Sequence, residues 1–92
     1  MIIEFDPAKN AKNIAERGLS FERVVDFDWS SAGIDEDVRK AYAERRFVAA
    51  GYLDGRLHML CFTPVAGGVR VISFRKANPR EARKHDKPLT ID

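Results

Sequence analysis

Three apolar segments joined by two short glycine turns constrain the fold of this chain more than any other feature. The segments Arg46–Leu53, Leu57–Pro64 and Val69–Lys76 each have the length and apolar character of a β-strand. The dipeptides Asp54–Gly55 and Gly67–Gly68 separate them, and both suit tight hairpin turns because they tolerate positive φ. Connections this short join antiparallel neighbours, so the sequence predicts an antiparallel meander with Leu57–Pro64 in a central position.

The region before the meander predicts a short strand followed by two helices. Ile2–Phe5 is a brief apolar run, and Asp6 can cap the helix that follows it, with Pro7 at the first helical position. Gly18 can end this helix in the left-handed conformation. A second helix is predicted from Ser20, whose hydroxyl can cap its free N–H groups.

Residue spacing predicts which helix faces are buried. The first helix has a narrow apolar face formed by Ala8, Ala11, Ile14 and Ala15. Its opposite side carries a polar stripe formed by Lys9, Asn13 and Arg17. The predicted buried residues of the second helix are Phe21, Val24, Val25 and Phe27.

A basic helix is predicted after the meander. Asn78 and Glu81 have the spacing of a capping box at the start of Pro79–Lys87. Apart from the stems of basic side chains, this helix offers only Ala82 for burial. Something other than the core is therefore expected to use its charged face.

The acidic segment Asp28–Glu44 has no clear apolar period, and it predicts a loop with a short edge strand near Ser31–Asp35. The 92 residues are enough for one hydrophobic core, so residues 1–92 are expected to form a single domain. The predicted fold is α+β, with two N-terminal helices and a basic C-terminal helix packed on one face of a mainly antiparallel sheet of about four strands.

Charge is unevenly distributed along the chain, although the formal net charge is only +2. The segment Arg75–Lys87 concentrates basic residues, whereas Phe21–Glu44 is acidic. A basic end of this kind favours binding of phosphates or of an acidic protein.

No apolar run approaches the roughly 20 residues that cross a bilayer. Glu4 stands where a signal peptide would carry bases, so a cytoplasmic protein without a membrane segment is expected. The single Cys61 lies in an apolar run and is expected to be a buried, inert thiol.

Four segments, FDPAKNAKN (5–13), RGLSFERV (17–24), ERRFVAAG (44–51) and VRVISFRKANPREARKH (69–85), resemble the BrnT toxins, the ribonuclease partners of BrnA antitoxins in bacterial type II toxin–antitoxin systems. The resemblance implies a RelE-like fold and metal-independent RNA cleavage without a cofactor, inhibiting translation and growth. It also implies a hetero-oligomeric complex with a small antitoxin of the BrnA type, through which alone DNA is bound.

The chain departs from the pattern of that family at three positions. Arg17 stands where relatives commonly carry a histidine, His85 where a tyrosine is common, and Phe74 where a small residue is common. If that histidine is catalytic in relatives, this chain uses another group or is a weak nuclease.

Metal-free RNA cleavage requires a base for the 2′-hydroxyl, an acid for the leaving oxygen and cations for the charge of the transition state. Arg75, Lys76 and Arg80 lie at the junction of the last strand and the basic helix, where arginine and a helix N-terminus can bind phosphate. The alternative is a solvated basic surface, and the family resemblance favours phosphate binding.

The two histidines differ in their predicted roles. Cations around His85 would favour its neutral imidazole, the form that can act as a base. His58 alternates with apolar residues of a strand and is predicted to be structural.

Glu44 and Arg46 match an E-x-R pattern of the family and would share a sheet face, as base and partner or as a plain ion pair. The polar stripe of the first helix is either solvated or an RNA track. The predicted catalytic residues are Arg46, Arg75, Arg80, His85 and Glu44. The predicted RNA-binding residues are Lys9, Asn13, Arg17, Lys76, Arg83 and Lys84, and no metal ligands are predicted. The alternative function is a non-enzymatic module that binds nucleic acid or protein through the basic helix.

Overall fold

The predicted meander forms the centre of a five-stranded sheet in the computed structural model, which describes residues 1–91. The strands are β1 Ile2–Glu4, β2 Gly33–Asp37, β3 Arg46–Leu53, β4 Arg56–Val65 and β5 Gly68–Lys76. The helices are α1 Pro7–Arg17, a 3₁₀ helix Phe21–Asp26 and α2 Pro79–Lys84. No helix within residues 1–91 has the length and apolar character needed to cross a membrane.

The sheet is mixed and has more strands than predicted. Its order is β1-β5-β4-β3-β2, which confirms the central position of the middle strand. β1 pairs with β5 in parallel, and the other neighbouring strands are antiparallel. The edge strand predicted near Ser31–Asp35 is β2, slightly later in the chain. The α+β class is confirmed, but the sheet has five strands instead of four because both short edge strands join the meander.

The predicted second α-helix is a 3₁₀ helix of six residues. It begins as predicted after Ser20, whose hydroxyl accepts a hydrogen bond from the first turn. With three residues per turn, Phe21, Val24 and Phe27 share one face and are buried. Val25 is 62% exposed, so its predicted burial is wrong because that prediction assumed a wider helix.

Two apolar clusters pack on opposite faces of the sheet. The helix face is covered by the 3₁₀ helix, and its buried cluster comprises Phe21, Val24, Phe27, Ala49, Leu53, Leu60, Phe62, Val69, Val71 and Phe74. The cluster of the other face, the open face, comprises Ala50, Tyr52, Leu57, Met59, Ala77 and Ala82. Because α2 packs through Ala82 on the open face, the prediction that all helices share one face is wrong.

Helix α1 is anchored by an amide side chain and not by its apolar residues. The Nδ2 of Asn13, which is 5% exposed, donates hydrogen bonds to the carbonyl oxygens of Leu19 and Phe74, each at 2.9 Å. Ile14 is 46% exposed and the helix alanines are exposed too, so the predicted apolar packing face is wrong. The backbone carbonyls of the adjoining turn and strand need donors, and the amide supplies them.

Strand β5 contains a bulge that changes which face of the sheet its last side chains occupy. The ladder pairs Val71 and Ser73 with adjacent residues of β4, which leaves Ile72 as an extra residue. Strict alternation would separate Phe74 from Val71, but both are buried on the helix face. Arg75 consequently faces the open face and the next residue faces the helix face.

Candidate functional site

A cavity of about 520 Å³, here called the open-face cavity, lies between the edge strand β2 and helix α2. Side chains of the three central strands line it, among them Val48, Met59 and Ser73. The remaining lining includes Asp35, Glu36, Asp37, Arg39, Arg46, Arg75, Glu81, Lys84 and His85. The fold therefore brings four of the predicted site residues, Arg46, Arg75, Lys84 and His85, to one cavity.

Arg46 is a cation of this cavity that has a buried polar atom without a partner among the described residues. Its guanidinium carbon lies 4.2 Å from the centroid of the Tyr42 ring, a cation–π contact that fixes the position of the head group. Its Nε is buried and has no hydrogen-bond partner within the described residues. An unpaired buried donor costs free energy, so a rearrangement of the side chain that gives it an acceptor, such as a phosphate oxygen, would be favourable.

Arg75, in contrast, is held by an acid. Its two terminal nitrogens donate to the carboxylate of Glu81 at 2.8 and 2.7 Å. This hydrogen bonding lowers the pKa of Glu81 to about 2, with a further contribution from the N–H of Asn78. Glu81 and Asn78 form the predicted capping box, so one carboxylate both starts α2 and orients the arginine.

The acidic wall of the cavity is also paired. The Asp37 carboxylate, almost fully buried, accepts two hydrogen bonds from the side chain of Arg39 at 2.8 Å and one from the Tyr42 hydroxyl at 3.1 Å. The bonds from Arg39 hold the pKa of Asp37 well below its usual range. Residues 1–91 contain no group of three or more His, Cys, Asp or Glu side chains arranged to hold a metal ion.

Helix α2 directs its basic side chains to different surfaces. Lys84 and His85, at its C-terminal end, line the open-face cavity. Arg83 lines a shallow groove on another side of the helix. Arg80 is exposed in the first turn and is not part of the lining of the open-face cavity. The predicted basic helix is therefore only partly directed at the cavity.

Glu44 does not pair with Arg46. It precedes β3, and its carboxylate accepts a hydrogen bond from Arg70 at 2.8 Å, outside the cavity lining. Of the two interpretations of the E-x-R pattern, an ion pair is the one observed for Glu44, although with a different arginine. The two residues do not share a sheet face because the strand begins at Arg46, as predicted, and Glu44 lies before it.

A second cavity, of about 690 Å³, lies on the helix face at the C-terminal end of α1. This helix-end cavity contains Arg17 and Lys76, two of the predicted RNA-binding residues, on the other side of the sheet from Arg75. Its other lining residues are Gly18, Leu19, Arg23, Leu53, Asp54, Arg56 and His58. Of the remaining predicted RNA-binding residues, Lys9 is exposed on α1 and Asn13 is buried as a structural anchor.

Sequence reasoning missed Tyr42 as the support of Arg46 and Arg56 as a cation next to His58. The sequence held a signal for the proximity of Arg56 and His58, because the tight turn at Asp54–Gly55 determines which residues of the next strand lie on each face. No comparable signal exists for Tyr42, which lies in the segment between β2 and β3.

The kind of protein that carries these cavities is decided by a family match. The model of the family described as ribonuclease toxin, BrnT, of type II toxin-antitoxin system matches residues 5–81. The chain belongs to the BrnT toxin family. As a BrnT toxin it is a ribonuclease that acts on RNA and has an antitoxin protein as its partner. No curated protein matches the chain.

The family match confirms the resemblance found in the sequence and covers most of both cavities. Arg17, Arg46 and Arg75 lie inside the matched residues, which end at Glu81. Lys84 and His85 follow that end, so they are features of this BrnT chain outside the matched range.

Proposed function

We propose that this BrnT toxin is a metal-independent endoribonuclease of the mRNA interferase type and that it cuts RNA in the open-face cavity. The observation that carries the proposal is the Arg46 guanidinium, which is fixed on Tyr42 with a buried, unpaired Nε in the same cavity as Lys84 and His85. A cation, a proton carrier and a free donor are the groups that phosphate transesterification needs.

In the proposed mechanism, the RNA 2′-hydroxyl attacks the adjacent phosphorus. His85 accepts the hydroxyl proton, and Arg46 stabilises the added negative charge on the phosphate oxygens. Lys84 donates a proton to the leaving 5′-oxygen, so the products are a 2′,3′-cyclic phosphate and a free 5′-hydroxyl. Arg75, oriented by Glu81, positions the strand. Glu44 has no role in this mechanism because it is paired with Arg70.

The decisive experiment uses the purified chain with single-stranded RNA and an excess of chelator. We expect cleavage that leaves 2′,3′-cyclic phosphate ends, and a requirement for magnesium would overturn the mechanism. Replacing His85 by glutamine should slow cleavage at least a hundredfold, since general acid–base catalysis contributes about 10²–10⁴-fold. Arg83→Gln is the matched control, because Arg83 is on the same helix but lines a different groove.

Growth of cells that express the toxin tests the arginines at the strand-to-helix junction. A charge-removing substitution at Arg75, which lines the open-face cavity, should abolish inhibition of translation and growth while the fold is retained, whereas the same change at the exposed Arg80 should act only by weakening the binding of the RNA strand. Unchanged toxicity of both variants would remove these residues from the site.

The proposed antitoxin is a small DNA-binding protein of the BrnA type that forms a hetero-oligomer with the toxin. An acidic or apolar segment laid over the basic helix-end cavity and the exposed basic side chains of α2 would neutralise them. Co-expression with the product of an adjacent short reading frame should yield a complex that binds DNA, whereas the toxin alone should not bind promoter DNA specifically. Failure of every neighbouring product to bind would refute this partner.

A non-enzymatic binding module is the second candidate function. Two observations favour it. Arg75 is already paired with Glu81, and the basic side chains Arg80 and Arg83 of α2 are exposed at the surface, where a nucleic acid or a protein can bind them. This candidate requires salt-sensitive RNA binding without any cleavage and normal growth on expression.

A further inference from the structure

The helix-end cavity holds a set of charges that the proposed cleavage does not use. Three of its cations come from separate elements: Arg17 ends α1, Arg56 begins β4 and Lys76 ends β5. Within residues 1–91 none of the three forms a salt bridge with a carboxylate. Arg17 donates to the Asn13 amide oxygen at 2.9 Å, and Arg56 donates to backbone carbonyls. Their positive charges therefore remain uncompensated in a shared cavity.

The one acid in the cavity lining does not offset these charges. Asp54 accepts two hydrogen bonds from the same nitrogen of Arg23, at 3.0 and 2.8 Å. The pair brings the charges of Asp54 and Arg23 close to balance, while the other three cations stay free of acids. A cavity with this surplus of fixed positive charge attracts an anion.

A buried histidine gives the cavity a polar group suited to such an anion. His58 is 4% exposed, and its Nδ1 lies 2.7 Å from the carbonyl oxygen of Arg56. Because a carbonyl can only accept, Nδ1 carries the proton and donates it, which leaves Nε2 of the neutral ring as an acceptor. Protonation of the ring would give Nε2 a hydrogen to donate to an anion.

We propose that the helix-end cavity is a phosphate-binding site of this toxin, taking a phosphate group either from an RNA strand or from a free nucleotide. Phosphate fits because the Arg17 guanidinium has donors that the Asn13 amide does not use, Arg56 and Lys76 add positive charge and His58 can add a donor. The RNA source rests on the proposed function, whereas binding of inorganic phosphate does not depend on RNA cleavage.

The state of His58 provides a built-in probe of occupancy. Burial lowers the pKa of His58, and the nearby charges of Arg56 and Lys76 act in the same direction, while its backbone hydrogen bond and Asp54 oppose them. Arg17 and Arg23 also line the cavity. A phosphate dianion beside the ring favours the imidazolium, so occupancy raises the pKa of His58.

The test is a titration of the full chain followed by the His58 ring signals in NMR. The ligands are inorganic phosphate, a nucleoside monophosphate and a single-stranded RNA analogue with 2′-O-methyl groups, which cannot undergo attack by a 2′-hydroxyl. We expect the His58 signals to move to saturation and the pKa of His58 to rise. A response to the RNA analogue alone assigns the phosphate to a strand, and an equal response to the monophosphate assigns it to a nucleotide. No response to any ligand overturns the proposal.

Matched charge variants separate a site from general attraction. The double variant Arg17→Gln/Lys76→Gln should bind the responding ligand about tenfold more weakly, because charged hydrogen bonds are lost. The control Lys12→Gln/Lys40→Gln removes the same net charge at exposed positions outside the lining of both cavities. Equal affinities of the two double variants overturn the proposal. A His58 response without any RNA cleavage would instead overturn the proposed function alone.

Discussion

The two cavities of this BrnT toxin lie on opposite faces of one sheet and differ in how their charges are compensated. The open-face cavity is lined by four basic residues, Arg39, Arg46, Arg75 and Lys84, and by four acidic residues, Asp35, Glu36, Asp37 and Glu81. The helix-end cavity is lined by four basic residues, Arg17, Arg23, Arg56 and Lys76, and by one acidic residue, Asp54. Charge balance suits a site that must place a few groups accurately, and charge surplus suits a site that must hold an anion.

The contrast is sharpest at two consecutive residues of β5. Arg75 lines the open-face cavity and forms a salt bridge with Glu81. Lys76 lines the helix-end cavity and has no salt bridge among the described residues. Hydrogen bonding to Glu81 raises the pKa of Arg75, so the pair stays charged and oriented. Neighbours in the chain thus have different surroundings because the strand presents them to different faces.

The largest expected effect is on cleavage and concerns Arg46. Arg46→Gln should slow RNA cleavage about a hundredfold, since removing one donor to a developing oxyanion costs about 10²–10³-fold. Cleavage rates with chelator present measure it. The matched control is Arg45→Gln, because Arg45 pairs with Glu36 and lies over the Phe47 ring. Equal rates for the two variants would take Arg46 out of the mechanism.

The next effect is on stability and concerns the anchor of α1. Asn13→Ala should lower the free energy of unfolding by about 2–3 kcal/mol, because the carbonyls of Leu19 and Phe74 lose a buried donor. Chemical denaturation measures it, and Lys12→Ala on the same helix should change stability by no more than about 0.5 kcal/mol. Phosphate binding at the helix end should weaken too, since Arg17 loses its acceptor. Wild-type stability of Asn13→Ala would contradict the anchoring role.

A smaller effect, on RNA affinity, is expected when an acid is removed from the open-face cavity so that it gains a surplus of positive charge like that of the helix-end cavity. Glu81→Gln keeps an oxygen for the cap but releases Arg75. RNA binding should become several-fold tighter because Glu81 no longer offsets the Arg75 charge that positions the strand, and the slope of log affinity against log salt should steepen by up to about 0.7, the value for one full phosphate contact. Glu16→Gln, an exposed acid on α1, is the control. An unchanged salt slope in Glu81→Gln would show that Arg75 does not reach RNA when freed.

The smallest expected effect is a decrease in the free energy of unfolding at acidic pH, caused by protonation of Glu81. The pKa of Glu81 is about 2 in the folded chain against an ordinary value of 4.5, so its carboxylate stabilises the fold above pH 4.5. That contribution should be lost as the pH falls towards 2. We expect a loss of about 1 kcal/mol, kept small because the Arg75 side chain is 39% exposed. Glu81→Gln should lack this part of the pH dependence, and an identical decrease in both proteins would contradict it.

The sequence predicted what local chemistry determines. Glycine turns at Asp54–Gly55 and Gly67–Gly68 define the meander, and the capping box of Asn78 and Glu81 marks the start of α2. The basic residues at the junction of β5 and α2 were also predicted, because a dense run of basic residues can be recognised from the sequence alone. Which face each of these cations takes was not predicted, since that depends on the bulge at Ile72, and strict alternation would place Arg75 and Lys76 on the opposite faces.

The remaining misses come from tertiary partners. Asn13 was predicted to bind RNA from an exposed polar stripe because helical spacing cannot reveal that Leu19 and Phe74 present carbonyls to it. The pairing of Arg75 with Glu81 depends on the angle between β5 and α2, which residue spacing does not supply. Both misses concern polar groups whose partners are chosen by packing and not by sequence pattern.

The extra residue in β5 gives the strand a position at which the chain length can change. Deleting Ile72 would leave Val71 and Ser73 opposite their present partners in β4, so every later side chain would keep its orientation. Deleting Phe74 would instead turn the following residues over, and the ends of the two cavities would exchange their cations. A one-residue deletion should therefore be tolerated at the bulge and should disrupt both cavities when it falls two residues beyond it.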